Sequence, residues 1–287
     1  MPVYNCRPMK PLQLKPSEGK LGEILTVTRD NAPWDSISLR VLRLEQGQRH
    51  FVKQPEEELV LVMLGGAATI ATGGDRIDHL GSRQDVFAGM PHALYLPLGI
   101  EQVEILSESK VCEVAVCGAR AERKFPMKVI NPRDVEIEVR GGGNATRQIN
   151  HIVKPEFAAD RILIVEVYTP SGNWSSYPPH KHDVHNPPHE VDLDEIYFYK
   201  ISSPEGFAIQ RVYTKDGARD ETITVRDNEA ILIPDGYHPV VAAHGYDCYY
   251  LNILSGSARS MAASDDPDYA WVRGEWRTKD PRVPVVQ

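Results

Sequence analysis

Glu195-Ile196-Tyr197-Phe198-Tyr199 is a run of aromatic and β-branched residues opened by a carboxylate, and it reads as a β-strand with an acid at its mouth. Ahead of it stands His180-Lys181-His182, and behind it Ile233-Pro234-Asp235-Gly236-Tyr237-His238-Pro239. On a strand, side chains two apart share a face at about 6.5 Å, so His180 and His182 can lean onto one ion while Lys181 points away. A helix would not bring an i, i+2 pair together. His180, His182, Glu195 and His238 thus read as one metal site assembled from three strands. Three neutral imidazoles and one carboxylate suit one borderline divalent ion, Zn, Mn, Fe or Ni, with positions left open for a substrate. His185 and His189, in a stretch crowded with Pro, Asp and Asn, are read as loop residues, and Lys181 as a solvated charge.

Outward from this core, short apolar runs recur with Gly, Pro, Asn and Asp between them, and long helical periodicity is nearly absent. The pattern predicts an all-β antiparallel fold. The expected strands of the first half are 37–44, 58–64, 67–71, 93–96, 102–105 and 111–116. Those of the second half are 161–169, 195–201, 207–214, 221–225, 230–233, 240–243 and 248–254. The halves align by feature: Glu58-Leu59-Val60-Leu61 with Glu195-Ile196-Tyr197-Phe198, and Tyr95-Leu96-Pro97 with Leu232-Ile233-Pro234. Glu101 stands where the second half has His238, and no HxH pair precedes Glu58. The expectation is a duplicated fold, with residues 1–142 an N-terminal unit without metal ligands and 143–287 a C-terminal metal-binding, catalytic unit. The glycine-rich stretch Val139 to Thr146 is read as the linker. A helical turn is expected between Met261 and Trp271, with Trp271 and Trp276 as packing groups.

At 287 residues the chain has room for two units with an ample core. A formal charge of −8 and a pI near 5.7, with no basic stripe, argue against nucleic acid and anionic membrane as partners. No apolar run approaches the ~20 residues of a membrane span, and the start Met1 to Cys6 has no leader pattern, so a cytoplasmic location is expected. Cys6, Cys112, Cys117 and Cys248 lack CxxC spacing; the last three read as buried thiols. Two units with exposed edge strands make a homo-oligomer the expectation.

The ordered set of HxH, Glu and Pro-x-Gly-x-His resembles the two cupin motifs, and the duplicated layout resembles a bicupin with two tandem jelly-roll barrels. The longer stretches Ser175 to Asp183, Asn186 to Glu190, Asp194 to Tyr199, Gly206 to Thr214, Gly236 to Val240 and Gly245 to Asn252 are similar to the 5-deoxy-glucuronate isomerase family of bacterial myo-inositol catabolism. Arg83 to Phe87 and Tyr95 to Pro97 carry a looser match in the first half. The resemblance implies a metal-dependent aldose–ketose isomerase acting on a small sugar acid. Alternation from Glu195 puts Tyr197 and Tyr199 on the ligand face, as substrate contacts or proton carriers. Gln210 and Arg211 face opposite ways; Arg211 would suit the substrate carboxylate. A cupin dioxygenase and a non-catalytic sugar-acid-binding cupin are the rival readings, since one architecture hosts many chemistries.

Overall fold

The computed structural model describes residues 10–19 and 21–287; Met1 to Cys6 lies outside the described residues. All the sheets are antiparallel, and the helical content among the described residues is three short 3-10 turns, Pro132–Asp134, Gly143–Ala145 and Ala270–Glu275. The expected helical turn near Trp271 is the last of these.

Each half contributes one large and one small sheet. In the first half, Lys128–Ile130, Ala93–Leu96, Glu57–Gly65, Val111–Arg120, Ile37–Glu45 and Gly22–Val27 form a six-stranded sheet in that order. The second half repeats this with Gln13–Leu14, Ala230–Ile233, Leu193–Ile201, Cys248–Gly256, Leu163–Thr169, Arg147–Val153 and Glu136–Arg140. The small sheets also match: Arg49–Val52, Val103–Ser107, Ala68–Ala71 and Arg76–Leu80 against Trp174–Ser175, Val240–Ala242, Ala208–Tyr213 and Asp220–Val225.

Period-two alternation sends the two faces of each large sheet into different cores. Leu59, Leu61 and Met63 pack inward on Val103 and Ile105 of the small sheet. Tyr197, Tyr199 and Tyr250 do the same on Val212, Val225 and Val240. The alternate residues, Val60 and Val62 on one side and Ile196, Phe198, Leu251 and Ile253 on the other, share a third and larger core between the two large sheets. Burial on both faces explains why these strands read as unbroken apolar runs rather than alternating ones. At roughly 1.5–3 kcal/mol for each large apolar side chain buried, this middle layer is a main stabiliser of the molecule.

Polar contacts also join the two halves across that layer. Arg83, from the first half, donates to Glu166 at 2.5 Å, and the Tyr249 hydroxyl donates to the same carboxylate at 2.9 Å. Glu58 accepts from Tyr95 Oη at 2.7 Å and from the backbone N–H groups of Asp160, Arg161 and Ile162 at 2.8, 2.5 and 2.7 Å. Lys200 donates to Glu113 at 2.9 Å.

The stretch Val139 to Thr146 is not a linker. Glu136–Arg140 and Arg147–Val153 pair with Arg140 opposite Arg147, so the glycines close a hairpin within the second half's sheet. Sheet membership changes between Ile130 and Glu136, ahead of the expected division at 142/143, and Gln13–Leu14 pairs across it with Ala230–Ile233. Trp271 is 65% exposed rather than packed, because it sits on the outer 3-10 turn. Cys112, Cys117 and Cys248 are buried free thiols, and burial pushes Cys112 up to about 12.

Candidate metal centre

His182, Glu195 and His238 are buried, with ligand atoms within 4.8 Å of one another. His180 precedes them on a short strand, His180–Lys181, held in place by Ser264–Asp265. Its ring centroid lies 6.4 Å from that of His182, the separation expected for an i, i+2 pair on a strand, and 4.9 Å from that of His238. His238 sits equally close to His182, at 4.9 Å. The structure therefore gathers all four sequence-predicted ligands, three of them within the tight group and His180 against its edge.

The imidazoles are oriented from behind. His182 Nδ1 donates to Leu193 O at 3.0 Å and His238 Nδ1 to Gly236 O at 2.9 Å, which leaves both Nε2 atoms facing inward. His182 Nε2 and Glu195 Oε2 are 2.9 Å apart, while His238 Nε2 is buried without a hydrogen-bond partner, 3.4 Å from the same oxygen. An orphaned buried nitrogen beside a buried carboxylate is costly unless something else fills the gap, so the donor set fits a divalent cation. Burial, and then the charge of His182, hold His238 down at about 3. Burial also holds His180 well below the ordinary range, with His238, His182 and Arg147 adding to the effect. Burial raises Glu195 against the pull of His182; in His182 burial is outweighed by the Glu195 hydrogen bond and charge, and its pKa rises. Neutral imidazole is the ligating form, so the low pKa values of His180 and His238 favour metal over proton.

Gly236 makes this geometry possible. Its φ is +82°, and a Cβ there would lie 2.6 Å from Tyr213 O. Its N–H donates to Asp183 Oδ2 at 2.9 Å. Lys181, expected as a solvated charge, does face away from the imidazoles, yet it bonds Asp183 and Glu190 Oε1, the latter at 2.7 Å. Glu190 in turn accepts the N–H groups of Asp183 and Val184, both at 3.0 Å. Lys181, Asp183 and Glu190 thus tie the HxH strand to the turn that carries His238. Nothing in the spacing of the sequence singled out Glu190. His185 and His189 are exposed, as read.

Tyr197 and Tyr199 lie on the face of Glu195, pointing into the interior of the second half. Tyr197 Oη is 3.0 Å from Ser176 Oγ, and Tyr199 Oη donates to Gln210 Oε1 at 2.8 Å. Asn252, opposite Tyr197 in the sheet, has a buried Nδ2 with no partner. Burial pushes both phenols well above their ordinary range. Of the pair Gln210 and Arg211, Gln210 is inside. Arg211 is on the outer face, bidentate to Asp220 at 2.7 and 2.8 Å, because strand alternation admits only one of two neighbours. The arginine on the inner side is Arg147, 3% exposed, which donates from Nη1 to Ala145 O at 3.2 Å and Tyr177 O at 3.1 Å. It was hidden at the edge of the supposed linker.

Fold and cluster together define the class: an all-β protein of antiparallel sheets whose second half holds a buried His/Glu centre able to take a metal ion. The model of the KduI/IolB family matches residues 12–272. The 5-deoxy-glucuronate isomerase of Geobacillus thermodenitrificans is 42% identical over 258 residues, covering 89% of this chain and 93% of the relative. That of Listeria innocua is 36% identical over 270 residues, covering 92% and 98%. An IolB-like protein from Salmonella typhimurium superposes with a TM-score of 0.87 at 33% identity, covering 91% and 98%. Bacillus subtilis oxalate decarboxylase superposes with a TM-score of 0.58 at 13% identity, covering 92% and 81%, a likeness of fold alone. The chain belongs to the KduI/IolB family.

Proposed function

We propose that this protein is a metal-dependent isomerase that interconverts 5-deoxy-D-glucuronate, a sugar-acid aldehyde, and 5-dehydro-2-deoxy-D-gluconate. The observation that carries the reading is the 42% identity, over nearly the full length of both chains, to a protein named for that reaction, with the buried donor set in the same chain. His180, His182, Glu195 and His238 are the proposed ligands. A divalent ion bound there would act as a Lewis acid toward two neighbouring substrate oxygens as a proton moves between their carbons. His182, Glu195 and His238 bring their ligand atoms within 4.8 Å of one another, and His180 stands at the edge of that group, its ring centroid 4.9 Å from that of His238. Tyr197, beside Ser176, and Tyr199, held by Gln210, line the space next to this group and orient the sugar hydroxyls, with the unpartnered amide nitrogen of Asn252 opposite Tyr197 in the sheet.

The matching strand orders of the two halves support a tandem pair of cupin-type jelly rolls, the first without ligands and the second catalytic. A cytoplasmic location suits a soluble sugar-acid enzyme; no described helix is long and apolar enough to cross a membrane. Association with further copies of itself through the exposed edge strands is testable by light scattering.

The reading is tested by anaerobic turnover of 5-deoxy-D-glucuronate before and after chelation, with NMR in heavy water. Conversion to the ketose, lost on chelation and restored by a divalent ion, is expected. A strict need for oxygen would point to a dioxygenase, and metal binding without turnover to a sugar-acid-binding protein.

A further inference from the structure

We propose that Arg147 receives the carboxylate of the sugar-acid substrate, at the opposite end of the ligand from the metal centre; this rests on the isomerase reading. Arg147 is 3% exposed and has no carboxylate within 4 Å among the described residues. The comparison inside the same molecule is Arg83, equally buried but closed by Glu166. A guanidinium withdrawn this far from water without an anion is expensive, and the Trp276 ring, 5.7 Å from its Cζ, is a weaker partner than a carboxylate, so the geometry calls for an anion from outside. Its Nη1 is engaged with two backbone carbonyls, whereas Nε and Nη2, one of the two edges that grip a carboxylate in bidentate fashion, have no partner among the described residues.

Its position suits the role. Ile149, two residues on, packs in the same interior core as Tyr197, Tyr199 and Tyr250, which puts Arg147 on the catalytic face of its strand. Tyr177, whose carbonyl it holds, lies three residues before His180, and the Arg147 charge is felt at both His180 and Tyr250. Both residues that supply its carbonyl partners, Ala145 and Tyr177, line a cavity of about 600 Å³ walled by Trp174 and Trp276. Arg211, the arginine that strand pattern offered for this task, is outside and closed by Asp220.

A competing role is purely structural: Arg147 would be a strut that positions Tyr177 and, through it, His180. Two substrates separate the roles, 5-deoxy-D-glucuronate and its uncharged amide, 5-deoxy-D-glucuronamide. Arg147→Met should lower kcat/KM for the acid by about 100- to 1000-fold, mostly through KM, the scale of losing one partner of a buried charge pair. On the amide its effect should stay within about 5-fold, Arg147→Lys should recover part of the loss on the acid, and Arg211→Met should change neither substrate by more than about 2-fold. Equal losses on acid and amide would overturn the proposal in favour of the strut. If Arg147→Met fails to fold, Arg147→Lys carries the same comparison, with a loss confined to the acid supporting the proposal and equal losses overturning it. Failure of the wild-type protein to convert either substrate would instead sink the isomerase reading. Calorimetry with D-glucuronate and D-glucuronamide then decides the role of Arg147. A wild-type preference for the acid of about 10-fold or more that Arg147→Met abolishes supports it, and no preference, or one that survives the substitution, overturns it.

Discussion

The two halves of this molecule share a strand order and differ in what they put inside it. In the second half the interior carries Glu195, Tyr197 and Asn252; in the first, the residues at the matching positions of the pairing register are Leu59, Leu61 and Val116. The pairing register sharpens the match. Leu59 lies opposite Leu96 as Glu195 lies opposite Ile233, so the counterpart of Glu195 is Leu59 and not Glu58, which feature alignment of the sequence had chosen. One residue is a whole face of the sheet. Glu58 therefore points into the layer between the halves, where it holds the segment Asp160 to Ile162. The same residue type one step along a strand is a structural clamp in one half and a candidate metal ligand in the other.

The sharpest way to break this comparison is to make the second half resemble the first. Glu195→Leu imports the apolar residue at the equivalent position, and should abolish turnover by at least about 1000-fold with metal content near zero, while the far-ultraviolet circular dichroism stays that of the wild type. Metal retained at full occupancy would show that Glu195 is not a ligand. The reciprocal change is Glu58→Ala, which orphans the N–H groups of Asp160, Arg161 and Ile162, the first and last of them buried, and the Tyr95 hydroxyl. It should cost about 3 kcal/mol or more in urea unfolding while leaving the metal content intact. Loss of metal would mean that the two carboxylates are not separated in role as their faces indicate.

The smallest effect concerns the seam between the halves. Burial works to raise Glu113, but Lys200 and Arg43 outweigh it and hold its carboxyl below the ordinary value of 4.5. A carboxyl depressed in the folded state contributes stability that is complete above its unfolded pKa and fades as pH falls through the folded one. Between pH 6 and 4.5 the wild type should keep this contribution, and below about 4.5 lose it progressively. Glu113→Gln should be less stable than the wild type at pH 6, and the gap should close toward pH 3 in urea midpoints. A gap independent of pH would remove the ion pair as its cause.

Much of the candidate site was legible along the chain because its signals are local. The i, i+2 spacing of His180 and His182 needs only a strand to bring the rings to 6.4 Å, and the positive φ of Gly236 matches the glycine of the turn before His238. Strands such as Ala93–Leu96 and Ala230–Ile233 carry their own β-propensity and fall at the expected bounds. Arg147 and Glu190 were not legible, because neither sits in a spacing pattern and each takes its meaning from partners brought close by other strands. The hairpin around Gly141 to Thr146 was misread for a related reason: glycines mark a chain reversal without saying whether it joins two sheets or closes one.

The sequence by itself determined that the chain is built of β-strands in two similar sets, and that His182, Glu195 and His238 gather in the second set with His180 beside them. It did so because alternation and turn chemistry act between near neighbours. Only the tertiary structure decided that Leu59 rather than Glu58 is the counterpart of Glu195, that Lys181 ties two loops together, and that Arg147 rather than Arg211 faces the interior. Alternation states that neighbours point apart, but which of the two points inward is set by register against strands far away in sequence, and by the layers that cover each face.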